Sequence, residues 1–426
     1  MKKFLRFTIV SILIVTSAFA VFKISNKYRV SILKDDIDCT IIAKGCEDAK
    51  AITVDEDGSI YIAYKESIKK IDREGKEKLL YKEKDLNIED LTYINNNLYF
   101  ISDDKVESYS LVNGVIDIVI SNIPSGGNEI DRRLLSKEGE LFISIGAATN
   151  SGISESGRGD ISPVEITLAG INFGEEKTGA FKDKGVSSEI GEKIKKAELG
   201  NGAVYKIDLE KNSVSLFVSG IRGITGLDYD NEGNIVAVFS GMKNEGLRAV
   251  NRDRDYIYKL VKGEWYGWPD FSGGDPISSP RFKGEELIKP LLQNPPKRVV
   301  AGPFYQSSSV DVLKELSIDR GGDLLQKDSL LLWDKGENAI STINKEGVYY
   351  RVLKVSNDSY IEDIVYNNEE FLILDSGIGA IYSLHEKEGL LGFKLPTIVW
   401  AFIFLLTFLL LVVAVLKFTN LKKDIK

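Results

Sequence analysis

A short apolar strand, a turn rich in Asp, Glu, Asn, Lys or Gly, and a second apolar strand recur six times along this chain, and nothing else in the sequence limits the fold as much. The first copy reads Ala51-Ile52-Thr53-Val54, then Asp55-Glu56-Asp57-Gly58, then Ser59-Ile60-Tyr61-Ile62-Ala63. Similar units start near Leu91, Leu134, Leu227, Leu316 and Ile364, with turns at Asn95-Asn96-Asn97, Lys137-Glu138-Gly139, Asp230-Asn231-Glu232-Gly233, Asp319-Arg320-Gly321-Gly322 and Asn367-Asn368-Glu369. Two strands separated by such a turn read as a hairpin. Each hairpin is followed by a third strand, at Ile68 to Asp72, Val106 to Ser110, Val204 to Asp208, Tyr256 to Leu260, Ile340 to Asn344 and Ala380 to Leu384. Repeats of about 40 residues made of short antiparallel strands predict an all-β chain, a six-bladed β-propeller around a central channel. Closing the ring calls for an early strand in the last blade, either Tyr28 to Leu33 or Thr40 to Ala43.

The spacing stretches to about 90 residues after the third unit and again after the fourth, so two insertions leave the blades, near 149–202 and 263–303. Such loops gather on one face of a propeller and build its ligand site. Charge excludes one class of partner. The formal charge is −8, and the two basic termini carry +3 each, which leaves −14 on the middle of the chain. Nucleic acid is not a partner of such a surface. His385, the single histidine, rules out multi-histidine zinc sites and reads as a stalk residue after the last blade.

Both ends point to a membrane. Lys2, Lys3 and Arg6 precede an uncharged run from Phe7 to Phe22, a signal peptide or signal anchor over 1–23. Thr397 to Leu416 is uncharged and long enough to span a bilayer, which predicts a transmembrane helix in 390–417, and the lysines that follow place a short basic tail, 418–426, in the cytoplasm. Residues 24–389 then form an extracytoplasmic propeller, held to the membrane by the C-terminal helix. Cys39 and Cys46 are the only cysteines, and on that side of a membrane a disulfide staple is expected between them. Leu395-Pro396-Thr397 departs from a sortase signal at Ile398, and Arg158-Gly159-Asp160 is too short to assign a function.

A series in fixed order is more specific: Arg133-Leu134-Leu135, Glu138 to Gly146 with Thr149-Asn150, Gly220-Ile221-Arg222 with Gly226-Leu227, Asp255 to Tyr258, and Trp265-Tyr266-Gly267-Trp268-Pro269. It resembles the glucose/sorbosone dehydrogenase family over about residues 50 to 385. That resemblance implies a six-bladed propeller that binds pyrroloquinoline quinone (PQQ) and calcium and oxidises an aldose outside the cytoplasm. The family's catalytic histidine falls at Asn128, which cannot act as a base, beside Glu129, which could, and just before Asp131-Arg132-Arg133. Asn128, Glu129 and Arg132 are the catalytic candidates. Thr149, Asn150, Arg222 and Lys335 are the cofactor candidates. The family's Arg-Asn pair reads Arg222-Gly223 here, and its two later arginines fall at Tyr360 and Glu362. Gly241, Asp253 and Asp255 are the metal candidates, because hard cations take oxygen ligands.

Three readings remain open. The first is a sugar oxidoreductase-like propeller with an eroded catalytic and quinone site. The second is a non-catalytic surface module that binds a small sugar, glycan or protein on the insertion face. The third is a metal-dependent lactonase-type hydrolase using Glu129, Asn150 and Asp363.

Overall fold

A computed structural model describes residues 27–124, 131–154, 159–367, 369–387, 404, 405, 407 and 408. The chain divides into two units, Ser31–Glu386 and the two ends, Met1–Val30 with Lys387–Lys426. Nearly all of the end unit lies outside the described residues, including the expected signal segment, most of the expected transmembrane helix and the basic tail. Among the described residues no helix is long and apolar enough to cross a membrane.

The main unit is a six-bladed propeller of antiparallel sheets. From the channel outward, the innermost strands are Ala49–Val54, Ile88–Ile94, Arg132–Lys137, Ile224–Tyr229, Leu313–Asp319 and Ile361–Asn367, which define blades 1 to 6. The hairpin turns of blades 1 to 5 place residues in the left-handed region, at Gly58, Asn95 with Asn96, Gly139, Gly233 and Gly322. A two-strand turn twisted to match its strands needs this conformation, which explains the Gly and Asn at these points. The third strands of all six blades lie within a residue or two of the predicted ranges.

Ring closure is settled by Ile37–Lys44, which pairs with Ala380–Glu386 as the outermost strand of blade 6. Ser31–Ile32 instead adds a fifth strand to blade 5. Two expectations are corrected here. His385 belongs to the third strand of blade 6, opposite Asp38, and is not a stalk residue. Cys39 and Cys46 are free thiols. The continuous strand from Cys39 to Lys44 separates its ends by about 16 Å, and two further residues can return only about 7 Å, too little for the close approach a disulfide needs. Burial pushes the Cys39 thiol up to about 12, as it raises that of Cys46.

Both insertions leave where predicted, one between the second and third strands of blade 3 and the other between the third and fourth of blade 4. They hydrogen-bond to each other, Ala169 N to Leu291 O at 2.8 Å and Gln293 N to Thr167 O at 2.9 Å. They also share one apolar cluster with Met242 and Val250 of blade 4, containing Leu168, Phe181, Trp265, Trp268, Phe282 and Leu291. Trp268 of the Trp-Pro element packs edge-on against Phe181, with ring centroids 5.2 Å apart. The insertions therefore form a packed cap with its own core.

The innermost strands carry a second device. In five of the six the pairing register slips by one residue, at Lys50, Glu89, Thr225, Glu315 and Glu362. A bulge re-aims the extra residue, and here the bulged side chains link strands around the channel. Lys50 pairs with Glu362, Glu89 with Arg132, Glu315 with Arg133, and the Thr225 hydroxyl donates to Leu313 O.

Candidate functional site

Each end of the channel offers a site. On the cap side, Arg222 follows blade 3 and donates to the carbonyls of Ala147 and Ala148 and, at 3.4 Å, to Asn150 Oδ1. Asn150 in turn donates its amide to Lys243 O at 2.7 Å and Arg248 O at 2.8 Å, and Thr149 Oγ1 donates to Ile153 O. Asn150 and Arg222 are thus brought together, with their polar atoms directed to one another and to backbone, while the Thr149 hydroxyl turns to Ser151 and Ile153.

The remaining predicted residues sit apart. Arg132 grips Glu89 with two guanidinium nitrogens and donates to Asp103 O, so it joins blades 2 and 3. Lys335 pairs with Asp311 at 3.1 Å, and Asp311 also takes Lys314 at 2.8 Å. Glu362 accepts from Lys50 and Ser376, and Tyr360 packs its ring against Trp333. Asp253 accepts from Met242 N, Arg254 N, Tyr256 Oη and Ser272 Oγ. Asp255 accepts from the backbone nitrogens of Gly241, Asp311, Val312 and Leu313, which fastens blade 4 to blade 5. Burial raises the pKa of both carboxyls, against the pull of these donors. Asn128 and Glu129 lie outside the described residues.

An anionic quinone requires cations free to grip carboxylates. The described candidates do not fit it: Arg222 faces carbonyls, Lys335 faces a carboxylate, and Glu362 is acidic. Space opposes it as well. A Cβ on Gly223 would lie 2.5 Å from Ser240 Oγ and 3.0 Å from Asp131 Oδ2, so the family's asparagine would fit only if these side-chain ends moved aside. Gly223→Asn is expected to cost about 1–3 kcal/mol of stability through overpacking, read by urea denaturation, without creating quinone affinity. Calcium fares similarly, because the carboxylates of Asp253 and Asp255 already serve backbone and hydroxyl donors. Among the described residues no group of three or more Asp, Glu, His or Cys is placed to hold a metal. The lactonase set is not assembled either: Asn150 is spent within the cap, and Asp363 lies in the channel wall bonded to Ile52 N.

Two arrangements escaped sequence reasoning. Arg248 and Asp270 form an ion pair at 3.0 Å with side chains only 2% and 7% exposed. Arg248 also donates to the carbonyls of Asn150, Pro269 and Lys289, and Asp270 accepts from Leu291 N and Leu292 N. One pair therefore ties the start of the first insertion at Asn150 to the second insertion at Pro269 and at Lys289 to Leu292. The second arrangement is a set of acids in the channel wall. Asp90, Asp228 and Asp363, from blades 2, 4 and 6, each accept a backbone N–H from the next blade, at Leu134, Ile318 and Ile52. The Ile-Glu-Asp tripeptide shared by the innermost strands of blades 2 and 6 was the available signal.

On the turn side, the channel is a cavity of about 520 Å³, lined by Asp55, Glu56, Tyr93, Asp228, Tyr229, Arg320 and Tyr366 toward its mouth and by Asp90, Arg133, Glu315 and Asp363 at its inner end. Burial, reinforced by Asp90, pushes Asp363 up to about 7. Burial likewise holds Glu315 well above the ordinary range and raises Asp90, although Arg133 pulls both down. Burial works against the Arg133 charge, but Glu315, Asp90, Asp363 and Asp131 around it outweigh that and raise its pKa.

No family model matches the chain, and no curated protein sequence matches it. Solved structures do. The PQQ domain of a pyranose dehydrogenase from Coprinopsis cinerea is 10% identical with a TM-score of 0.56, covering 84% of this chain and 97% of that one. A PQQ-bound aldose sugar dehydrogenase from Streptomyces coelicolor is 13% identical with a TM-score of 0.53, covering 84% and 98%. A calcium structure of a carbohydrate-active enzyme of family AA12 from Trichoderma reesei is 14% identical with a TM-score of 0.59, covering 84% and 98%. At these identities the likeness is one of fold: the chain is a six-bladed β-propeller similar to those of quinone-dependent sugar dehydrogenases.

Proposed function

We propose that this chain is a membrane-anchored, extracytoplasmic propeller of the sugar-dehydrogenase type that binds a small sugar or surface glycan on its cap face and has given up quinone chemistry. The observation that carries this reading is the commitment of Arg222 to the Ala147 and Ala148 carbonyls, beside a glycine where the family has an asparagine. The fold likeness to sugar dehydrogenases supports the sugar as ligand class. The apolar C-terminal run with its basic tail supports the anchor, and that run lies mostly outside the described residues.

Calorimetric titration of the full-length chain in mild detergent with PQQ, with and without calcium, tests the proposal. No saturable heat, no thermal shift and no dye-linked aldose oxidation are expected, while a panel of mono- and oligosaccharides should yield a binder. Calcium-dependent quinone binding at micromolar strength or tighter would overturn it. That result would establish the second reading, a PQQ and calcium aldose dehydrogenase, which is favoured by the quinone-bound and calcium-bound structures of the same fold. In that case Glu129→Gln should abolish oxidation.

A further inference from the structure

The propeller begins at Ser31 and ends at Glu386, and both points lie on the outer rim of two neighbouring blades. Ser31–Ile32 is the outermost strand of blade 5, paired with Leu353 and Lys354. Glu386 pairs with Ile37, the first residue of the outermost strand of blade 6. The two outermost strands adjoin.

The sequence limits how far this rim can stand from a bilayer. Residues 387–396 separate Glu386 from the apolar run Thr397–Leu416, and residues 23–30 separate Ser31 from the run Phe7–Phe22. Fully extended, these links reach no more than about 35 Å and about 28 Å. The first link alone holds the rim if the leading segment is cleaved.

The same rim carries apolar side chains that the fold leaves uncovered. Ile32, Leu33, Ile41 and Ile42 are 39, 49, 38 and 44% exposed. In a regular strand Ile41 and Ile42 would point to opposite faces. Here the register slips at Ile42, between the Ile41–Tyr382 and Ala43–Ile381 pairs, and both side chains stay in solvent. Charge around them is mixed: Lys34 pairs with Asp36 at 2.8 Å, and Asp35, Lys44 and Lys354 are exposed. The apolar side chains, and not a net charge, therefore decide what this surface meets.

Exposed apolar residues alone do not single out this rim. Blade 2, which faces blade 5 across a six-membered ring, exposes Val112 at 82% with Val115 and Ile118 in the hairpin of its two outer strands. What distinguishes blades 5 and 6 is that both links to the apolar runs leave from them.

We propose that the outer rim of blades 5 and 6 is a lipid-contacting surface, with Ile32, Leu33, Ile41 and Ile42 seated in the interfacial layer of the bilayer, an inference that rests on the membrane-anchored reading. Exposed apolar patches among polar residues mark such contacts. The channel axis then lies along the membrane plane, and the cap face and the turn-side mouth both stay open to solution.

The test places a bimane label at Leu33→Cys, Ile41→Cys or Val112→Cys in the full-length chain and measures quenching by brominated lipid in phosphatidylcholine vesicles. The parent, whose Cys46 is buried and Cys39 half-buried, gives the background. Quenching at positions 33 and 41 is expected to be at least about threefold that at position 112, and insensitive to salt. Should either rim variant fail to fold, Ile32→Cys and Ile42→Cys take its place. Quenching no greater at the rim than at position 112, in chain that floats with the vesicles, would overturn the proposal and leave the anchor standing. A rim label shielded from water yet unquenched would also overturn it, because a second copy or another protein would then cover this face. Folded chain that does not float with the vesicles would overturn the anchored reading, and this proposal with it.

Discussion

Substituting methionine for Arg248 is expected to cost about 3–5 kcal/mol of folding stability, the usual penalty for removing one partner of a buried ion pair. The guanidinium is enclosed and reaches Asp270 together with the carbonyls of Asn150, Pro269 and Lys289. Without it Asp270 keeps only the N–H groups of Leu291 and Leu292 as donors, and three carbonyls lose theirs. Burial already raises the Asp270 pKa, with Arg248 as the main opposing influence, so the variant should move it further up. The double variant Arg248→Met, Asp270→Leu should recover most of the loss, because it removes the stranded charge and not just its partner. Urea denaturation of the single and double variants, with proteolysis of the insertions as a local probe, checks this. A single variant within about 1 kcal/mol of the parent would mean that the cap is held by its apolar cluster alone.

That pair also marks the limit of what the sequence discloses. Hairpins are local: strand, turn and strand lie within about fifteen residues, and alternation with turn chemistry identifies them without any knowledge of the fold. All six blades and the exit points of both insertions were therefore legible. Arg248 and Asp270 are 22 residues apart and meet only because the second insertion packs against the loop between the second and third strands of blade 4. The Glu315 and Arg133 pair spans 182 positions and crosses the channel. Closure was half legible, since both early segments were apolar and only pairing with Ala380–Glu386 distinguishes Ile37–Lys44 from its neighbour.

The candidate site shows the same boundary in another form. In the structure Arg222, Asn150, Asp253 and Asp255 lie on the cap side, but residue type does not disclose which atoms a side chain has already engaged. Asp255 illustrates this. In sequence it is an oxygen ligand in an acidic loop, whereas in the fold its two oxygens accept four backbone N–H groups. Cys39 and Cys46 were misread for a related reason, because proximity in sequence was taken for proximity in space, and an extended strand separates them.

Arg133→Met is expected to destabilise the protein by about 3–5 kcal/mol at pH 8 and by far less at pH 4, measured against the parent at each pH. Asp90, Glu315 and Asp363 surround this guanidinium, and all three have folded-state pKa values raised above their ordinary ones. A carboxyl that is harder to ionise in the folded chain than in the unfolded one gives stability that is complete below its unfolded pKa and is lost as pH rises through its folded pKa. For Asp363 that window runs from 3.8 to about 7. Removing Arg133 takes away the cation that limits the loss, so the three acids repel one another unopposed at pH 8 and take up protons at pH 4. Asp363→Asn should act in the opposite direction. It keeps an acceptor for Ile52 N, removes the charge, and should gain about 2 kcal/mol at pH 8 and nothing at pH 4. Chemical denaturation of the three proteins across this range gives the comparison. Parallel curves for parent and Arg133→Met would show that the channel acids titrate without sensing the guanidinium.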